Sequence, residues 1–294
     1  MTKNQIAPKQ TPKKELVRLP DGSVELSFSV PWQEVKAARD RVETELLKGV
    51  SVPGFRKGMA PKEIAKKSIS EETVREELLR QVITEKYRKA VEKHDLKPII
   101  TPQIHIEEFK DGEDLKFTAE VAEEPKVELG DYKKAIKDIT AKSKIVVPGK
   151  NPSTSSGHEE QKPSIDEILT AGISKVKITI SKIIIEREVS RLLSQLLDEI
   201  KTLGMNLEQY LESKKVSGEQ LRDEYRTRAE RDIKLEFFLR KVADEEKIVV
   251  TAEDITDAIS KIEDKAQQEE IKKNPYLVAS IIRQQKTIDF LSKI

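Results

Sequence analysis

The chain has 294 residues, 54 Lys and Arg against 53 Asp and Glu, a net charge of +1 and no cysteine. A length of this order holds about two domains. The missing thiols exclude disulfides, thiol catalysis and thiolate metal sites, and the balanced charge argues against a general nucleic-acid binder, which would be basic overall.

Charged residues make up 36% and aromatics 4% of the chain, so its cores must be aliphatic and its helices well solvated, with both signs interleaved. No apolar run approaches the roughly 18 residues that span a bilayer. The first twenty residues are basic and polar without an apolar leader core. The expected location is the cytoplasm, with no membrane partner.

Residues 1–14, rich in Lys, Gln, Thr and Pro, read as a disordered lead-in. Glu15 to Leu19 is a strand candidate, Pro20-Asp21-Gly22 is turn chemistry, and Val24, Leu26, Phe28 and Val30 alternate with polar residues as a half-buried strand does. Trp32, Val35, Ala38, Val42 and Leu46 then recur at three- and four-residue steps, which predicts a helix ending near Gly49.

After that helix comes Pro53-Gly54-Phe55-Arg56-Lys57-Gly58-Met59-Ala60-Pro61. Glycine accepts backbone angles that other residues resist, and proline stops helices, so this stretch predicts a loop with Phe55, Arg56 and Lys57 at its tip. An exposed ring beside two cations suits a partner better than a core. With Lys62, Lys66 and Lys67 there are five cations here against one anion, Glu63. The alternative is an ordinary Gly-Pro helix connection carrying solvated charge.

A short helix over Ile64 to Lys67 follows. Ser70 is placed to cap a longer helix carrying Val74, Leu78, Val82, Ile83, Tyr87 and Ala90, with Pro98 and Pro102 at its exit. Ile104 and Ile106 alternate, Lys110-Asp111-Gly112-Glu113 turns the chain, and Leu115, Phe117, Ala119 and Val121 alternate again as a second hairpin. Strand pair, helices, strand pair describes an α+β domain with helices on one face of an antiparallel sheet.

Gly-Phe-Arg-Lys-Gly-x-x-Pro, between an amphipathic helix and a basic one, resembles the ribosome-binding signature of bacterial trigger factor, on Gly54, Phe55, Arg56, Lys57, Gly58 and Pro61. The order of elements and Val127-Glu128-Leu129-Gly130-Asp131-Tyr132 are similar to that family's N-terminal domain. The resemblance implies docking on a large-subunit protein and ribosomal RNA beside the peptide exit tunnel, through Gly54 to Gly58 with help from Lys62, Lys66 and Lys67. The family usually has a lysine where this chain has Met59, which implies weaker or retuned docking.

Residues 133–164 read as a flexible linker around Pro148 to Gly157, with Lys144 to Val147 a short strand candidate. Most trigger factors carry a prolyl isomerase domain at this place. Such a domain needs about ninety residues to close a core, so the interval implies a form without it and without enzymatic activity.

From Ile165 the chain reads as helical. Ile183, Ile184, Ile185, Val189, Leu192, Leu193, Leu196, Leu197, Ile200 and Leu203 form a stripe ending at Gly204. Ser217 with Gln220 matches a capping box, Thr251 is a cap, and Asn274-Pro275 is a cap followed by a first-turn proline. The runs around Ile184 to Glu188, Arg228 to Lys234 and Val249 to Ile255 resemble the trigger factor C-terminal domain, a helical module shared with periplasmic chaperones. The stripes on Ile183 to Leu203 and Tyr276 to Ile294 are wider than one packing face needs. Ile184, Leu193, Leu197, Leu277, Ile281, Ile288 and Leu291 are therefore candidates to hold unfolded segments.

No catalytic, cofactor or metal site is expected. His94, His105 and His158 fall at a helix end, on a strand and in the linker, and His105-Ile106-Glu107 lacks a third ligand. The expected architecture is an α+β ribosome-binding domain with a protruding helix–loop–helix (1–132), a linker (133–164) and an all-α substrate-binding domain (165–294). The expected activity is ATP-independent shielding of nascent chains at the tunnel exit, the partners being the large subunit and unfolded polypeptides, with weak homodimerisation. A residual prolyl isomerase, or a helical adaptor for one folded partner, is the alternative.

Overall fold

The computed structural model of the chain describes residues 15–51, 55, 61–107, 109–143, 163–262 and 264–294. They fall into two compact units, one within Met1–Glu124 together with Ser181–Ile184, the other within Pro125–Ile180 and Ile185–Ile294.

The first unit is α+β. Strands β1 (Leu16–Arg18) and β2 (Ser23–Val30) lead into helix α1 (Trp32–Gly49), short helix α2 (Lys62–Lys67) and long helix α3 (Glu71–Lys93). Strands β3 (Gln103–Ile106) and β4 (Leu115–Ala122) follow. The sheet is antiparallel throughout in the order β1-β2-β4-β3, with Val24 opposite Val121 and Phe28 opposite Phe117. Period-two alternation puts Leu115, Phe117, Ala119 and Val121 on one buried face. The Phe28 and Phe117 rings stack at 4.5 Å between centroids, a geometry that adds to their burial. On that face Val35 and Ala38 of α1 pack with Leu78, Val82 and Ile83 of α3. Ser70 accepts the Thr73 amide at 3.1 Å and so starts α3 as its sequence predicts.

In the second unit β5 (Val127–Glu128) is followed by α4 (Tyr132–Ser143), α5 (Ile165–Ser174) and β6 (Lys177–Ile178). The helices α6 (Lys182–Thr202, in this unit from Ile185 on), α7 (Leu207–Lys214), α8 (Gly218–Glu245), α9 (Ala252–Ser260), α10 (Lys265–Lys272) and α11 (Pro275–Leu291) come after. Its main core gathers Leu129, Tyr132, Ile136, Ile168, Phe238, Val242 and Leu291. The capping boxes at Ser217 and Thr251 and the Asn274 cap form as read from the sequence. Val189 and Leu192 of α6 pack on Ala229 of α8. Glu186 fastens the same pair of helices, accepting from Arg222 and Arg226 at 2.6 Å each. Those guanidinium groups, Arg226 first, hold the Glu186 carboxyl below its ordinary range.

Two expectations change. Residues 133–143 are not linker: they form most of α4, whose Ile136 is fully buried, because Tyr132, Ile136 and Ile139 recur at helical spacing within a lysine-rich run. The N-terminal stretch of the first unit accordingly stops at Glu124 rather than at 132, and Pro125–Ile180 falls in the second unit. From residue 165 onward the chain is helical as expected, apart from the two residues of β6, which pair antiparallel with β5, Val127 opposite Ile178. The strand candidate Lys144 to Val147 and the Pro148 to Gly157 stretch lie outside the described residues.

Candidate functional site

The connection between α1 and α2 is where the sequence places its docking loop. The side chain of Phe55 is 42% exposed, although large apolar rings are usually inside. Gly54, Arg56, Lys57 and Gly58 lie outside the described residues. Lys62 opens α2, and its side chain is likewise outside the described set.

On the C-terminal side of this connection α2 packs against α1. Ala65 is buried, and Leu47, Ile69 and Val74 line a small cleft with Glu43 and Lys66. Lys66 donates to Glu43 of α1 at 3.1 Å. Glu43 in turn lies 3.4 Å from Arg39 one turn earlier. Arg39 donates to Asp111 in the β3–β4 turn at 2.9 Å and to Glu71 at the start of α3. The Asp111 carboxylate, foremost among these partners, raises the Arg39 guanidinium further above its ordinary range. Lys67 is exposed and has no ion pair among the described residues. Sequence reasoning missed Arg39 and Glu43, although their i, i+4 spacing of opposite charge on one helix face was the available signal.

The second candidate surface lies on α11 and α6. Tyr276 is 86%, Leu277 56% and Ile281 58% exposed on the first turns of α11. A cavity of about 280 Å³ opens beside them, lined by Leu239, Ala243, Val250, Tyr276, Ala279 and Arg283. Leu197 of α6 and nearby Leu203 are also exposed. Ile184 and Leu193 are half-buried, and Leu193 packs towards Tyr225. Ile288 is partly buried against the main core. Leu291 is a correction: it is wholly buried in that core, because α11 turns its C-terminal half inward.

An apolar ring in solvent next to basic residues can grip a surface of mixed chemistry. Open aliphatic side chains ringed by charge can hold apolar segments weakly and without sequence preference. Among the described residues no three His, Asp or Glu side chains come together to hold a metal ion.

Two family models match the chain. The one described as bacterial trigger factor protein (TF) matches residues 13–148, and the one described as bacterial trigger factor protein (TF) C-terminus matches residues 158–293. Only residues 149–157 lie between them, too few for a folded domain, so no isomerase domain stands between the two parts. The trigger factor of Macrococcus caseolyticus is 38% identical over 108 residues, 37% of this chain and 25% of that protein. The trigger factor of Listeria welshimeri is 38% identical over 114 residues, 38% of this chain and 27% of that protein. The match thus spans about a quarter of the length of these curated relatives. A solved structure described as "Promiscuous Substrate Recognition in Folding and Assembly Activities of the Trigger Factor Chaperone" has the same fold, with a TM-score of 0.58 at 17% identity over 95% of this chain and 99% of that one. With both of its parts matched across nearly its whole length, the chain belongs to the bacterial trigger factor family.

Proposed function

We propose that this protein is a ribosome-associated, ATP-independent chaperone that docks beside the peptide exit tunnel and shields apolar segments of emerging chains. The observation that carries the reading is the exposed ring of Phe55 between α1 and α2, inside the segment matched to trigger factor and beside a run of cations. Phe55, Arg56 and Lys57 would make the direct grip, and nearby lysines would face RNA phosphate. The phosphate share of the affinity falls as salt rises, because condensed counterions no longer gain by release.

The open side chains of Tyr276, Leu277 and Ile281 would hold clients. Burial of apolar area is worth roughly 25 cal/mol per Å², so a few such side chains give contacts weak enough to release by dissociation alone. Co-sedimentation with ribosomes tests the docking half. The triple substitution Phe55→Ala, Arg56→Ala, Lys57→Ala should abolish pelleting while leaving the circular dichroism spectrum unchanged. Pelleting at the wild-type level by that variant removes the docking reading.

A further inference from the structure

Lys66 and Lys67 are adjacent in sequence and equal in chemistry, yet the fold uses them differently. Lys66 donates to Glu43 at 3.1 Å, and Glu43 is the more covered partner, its side chain 23% exposed against 62% for Lys66. Glu43 is held in turn by Arg39, whose other partners lie on α3 and in the β3–β4 turn. The result is a continuous charge chain, Lys66–Glu43–Arg39–Glu71 and Asp111, running from α2 through α1 to the rest of the first unit. Lys67 takes no part in it.

We infer that Glu43 and Lys66 are positioning residues: their ion pair fixes α2, which begins directly after Pro61, on α1. Lys66 is then not a phosphate contact, and Lys67 is. This rests on the docking reading above for its ribosome readout, but not for its structural one.

The physical distinction is measurable. A cation that neutralises a phosphate contributes about 0.7 to 0.9 to the slope of log affinity against log salt. A cation already paired with a carboxylate of the protein contributes much less to that slope. It acts by holding geometry, and a single exposed ion pair of this kind changes an equilibrium by about 1.5- to 5-fold. Two residues acting as one unit also lose their effects non-additively.

The experiment measures ribosome affinity of the full chain at several salt concentrations, together with amide hydrogen exchange of the free protein over Ile64 and Ala65. Lys67→Ala should lower the salt slope by nearly one unit and leave exchange unchanged. Glu43→Ala and Lys66→Ala should each weaken binding by about 1.5- to 5-fold at low salt and speed exchange at Ile64 and Ala65 by a similar factor. The slope should change far less than with Lys67→Ala, and the double variant should be no worse than either single one. Lys66→Arg, which keeps the pair, should restore both readouts.

A slope reduced by Lys66→Ala as much as by Lys67→Ala, or tighter binding by Glu43→Ala through release of Lys66 to phosphate, overturns the inference. So does unchanged exchange in both alanine variants. If the wild-type chain does not bind ribosomes at all, the docking reading fails by itself, and the exchange comparison still decides whether the pair fixes α2.

Discussion

The phenol of Tyr132 donates to Glu246 at 2.9 Å, joining residues that lie 114 positions apart. Lys133 reaches the same carboxylate at 2.6 Å. The contact ties α4, the last described element before residue 144, to the end of α8 inside one core. Tyr132 also sets its ring edge-on to Phe238 at 5.7 Å between centroids. Tyr132, which reads as the end of the first domain, and Lys133, which reads as the beginning of a linker, are therefore structural members of the second unit. Tyr132→Phe keeps the packing and loses one hydrogen bond, which should cost about 1 kcal/mol of stability. Tyr132→Ala should cost about 3–5 kcal/mol. Urea unfolding followed by circular dichroism checks both, and equal effects of the two substitutions would argue that packing at Tyr132 is slight.

Gly172 of α5 stands against the ring of Phe238, which is wholly buried. A Cβ on residue 172 would lie 2.7 Å from the ring's Cζ, closer than carbon atoms approach. Alanine favours a helix over glycine by about 1 kcal/mol, but overpacking a closed core costs about 1–3 kcal/mol. Gly172→Ala should therefore be destabilising on balance, by up to about 2 kcal/mol. Adding Phe238→Leu should reduce the penalty seen in the single variant relative to the sum of the two. Additive losses in a double-mutant cycle would contradict the contact.

The hydrogen bond from Lys286 of α11, with further ones from Thr251, lowers the Asp254 carboxyl to about 2 from its ordinary 3.8. A carboxyl whose folded value lies below its unfolded one stabilises the fold above the unfolded value and loses that contribution as pH falls through the folded value. The contribution of Asp254 should thus be complete above about pH 4 and fade towards pH 2. A carboxyl carbon titration by NMR should place its midpoint near 2, and Lys286→Met should move it upward. A midpoint in the ordinary carboxylate range would show that α9 and α11 are not joined this way.

Client shielding through α11 predicts a separation between its two halves. Leu277→Ser with Ile281→Ser changes side chains that are already more than half exposed, so thermal stability should hold. The delay the chaperone imposes on aggregation of a chemically unfolded test protein should shorten several-fold. Leu291→Ala, in the buried half, should instead lower stability by about 2–5 kcal/mol. Undiminished protection in the double serine variant would remove this surface from the client site.

Local chemistry was readable wherever one residue type has one physical use. The alternation in Val24 to Val30 and Leu115 to Val121 became paired strands, and Ser70, Ser217, Thr251 and Asn274 all cap the helices they precede. What escaped were features that exist only through tertiary partners. The two-residue strands β5 and β6 are too short to show a period, and α4 hides its apolar positions among lysines. Width of an apolar stripe also does not say which end stays open, so Leu277 and Leu291 looked alike although one is exposed and the other is core. Between α1 and α2 the exposure of Phe55 was legible in the Gly and Pro residues that flank it in sequence. The unequal use of Lys66 and Lys67 depends on where Glu43 lies in space.

The central claim is that Phe55 touches the ribosome. A photo-reactive phenylalanine analogue placed at position 55, irradiated with ribosomes, tests it directly, with the same analogue at exposed Arg88 on α3 as the control. Docking predicts adducts from position 55 to a large-subunit protein at the tunnel exit and few from position 88. Ribosomal adducts absent from position 55, or equal from both positions, would contradict it.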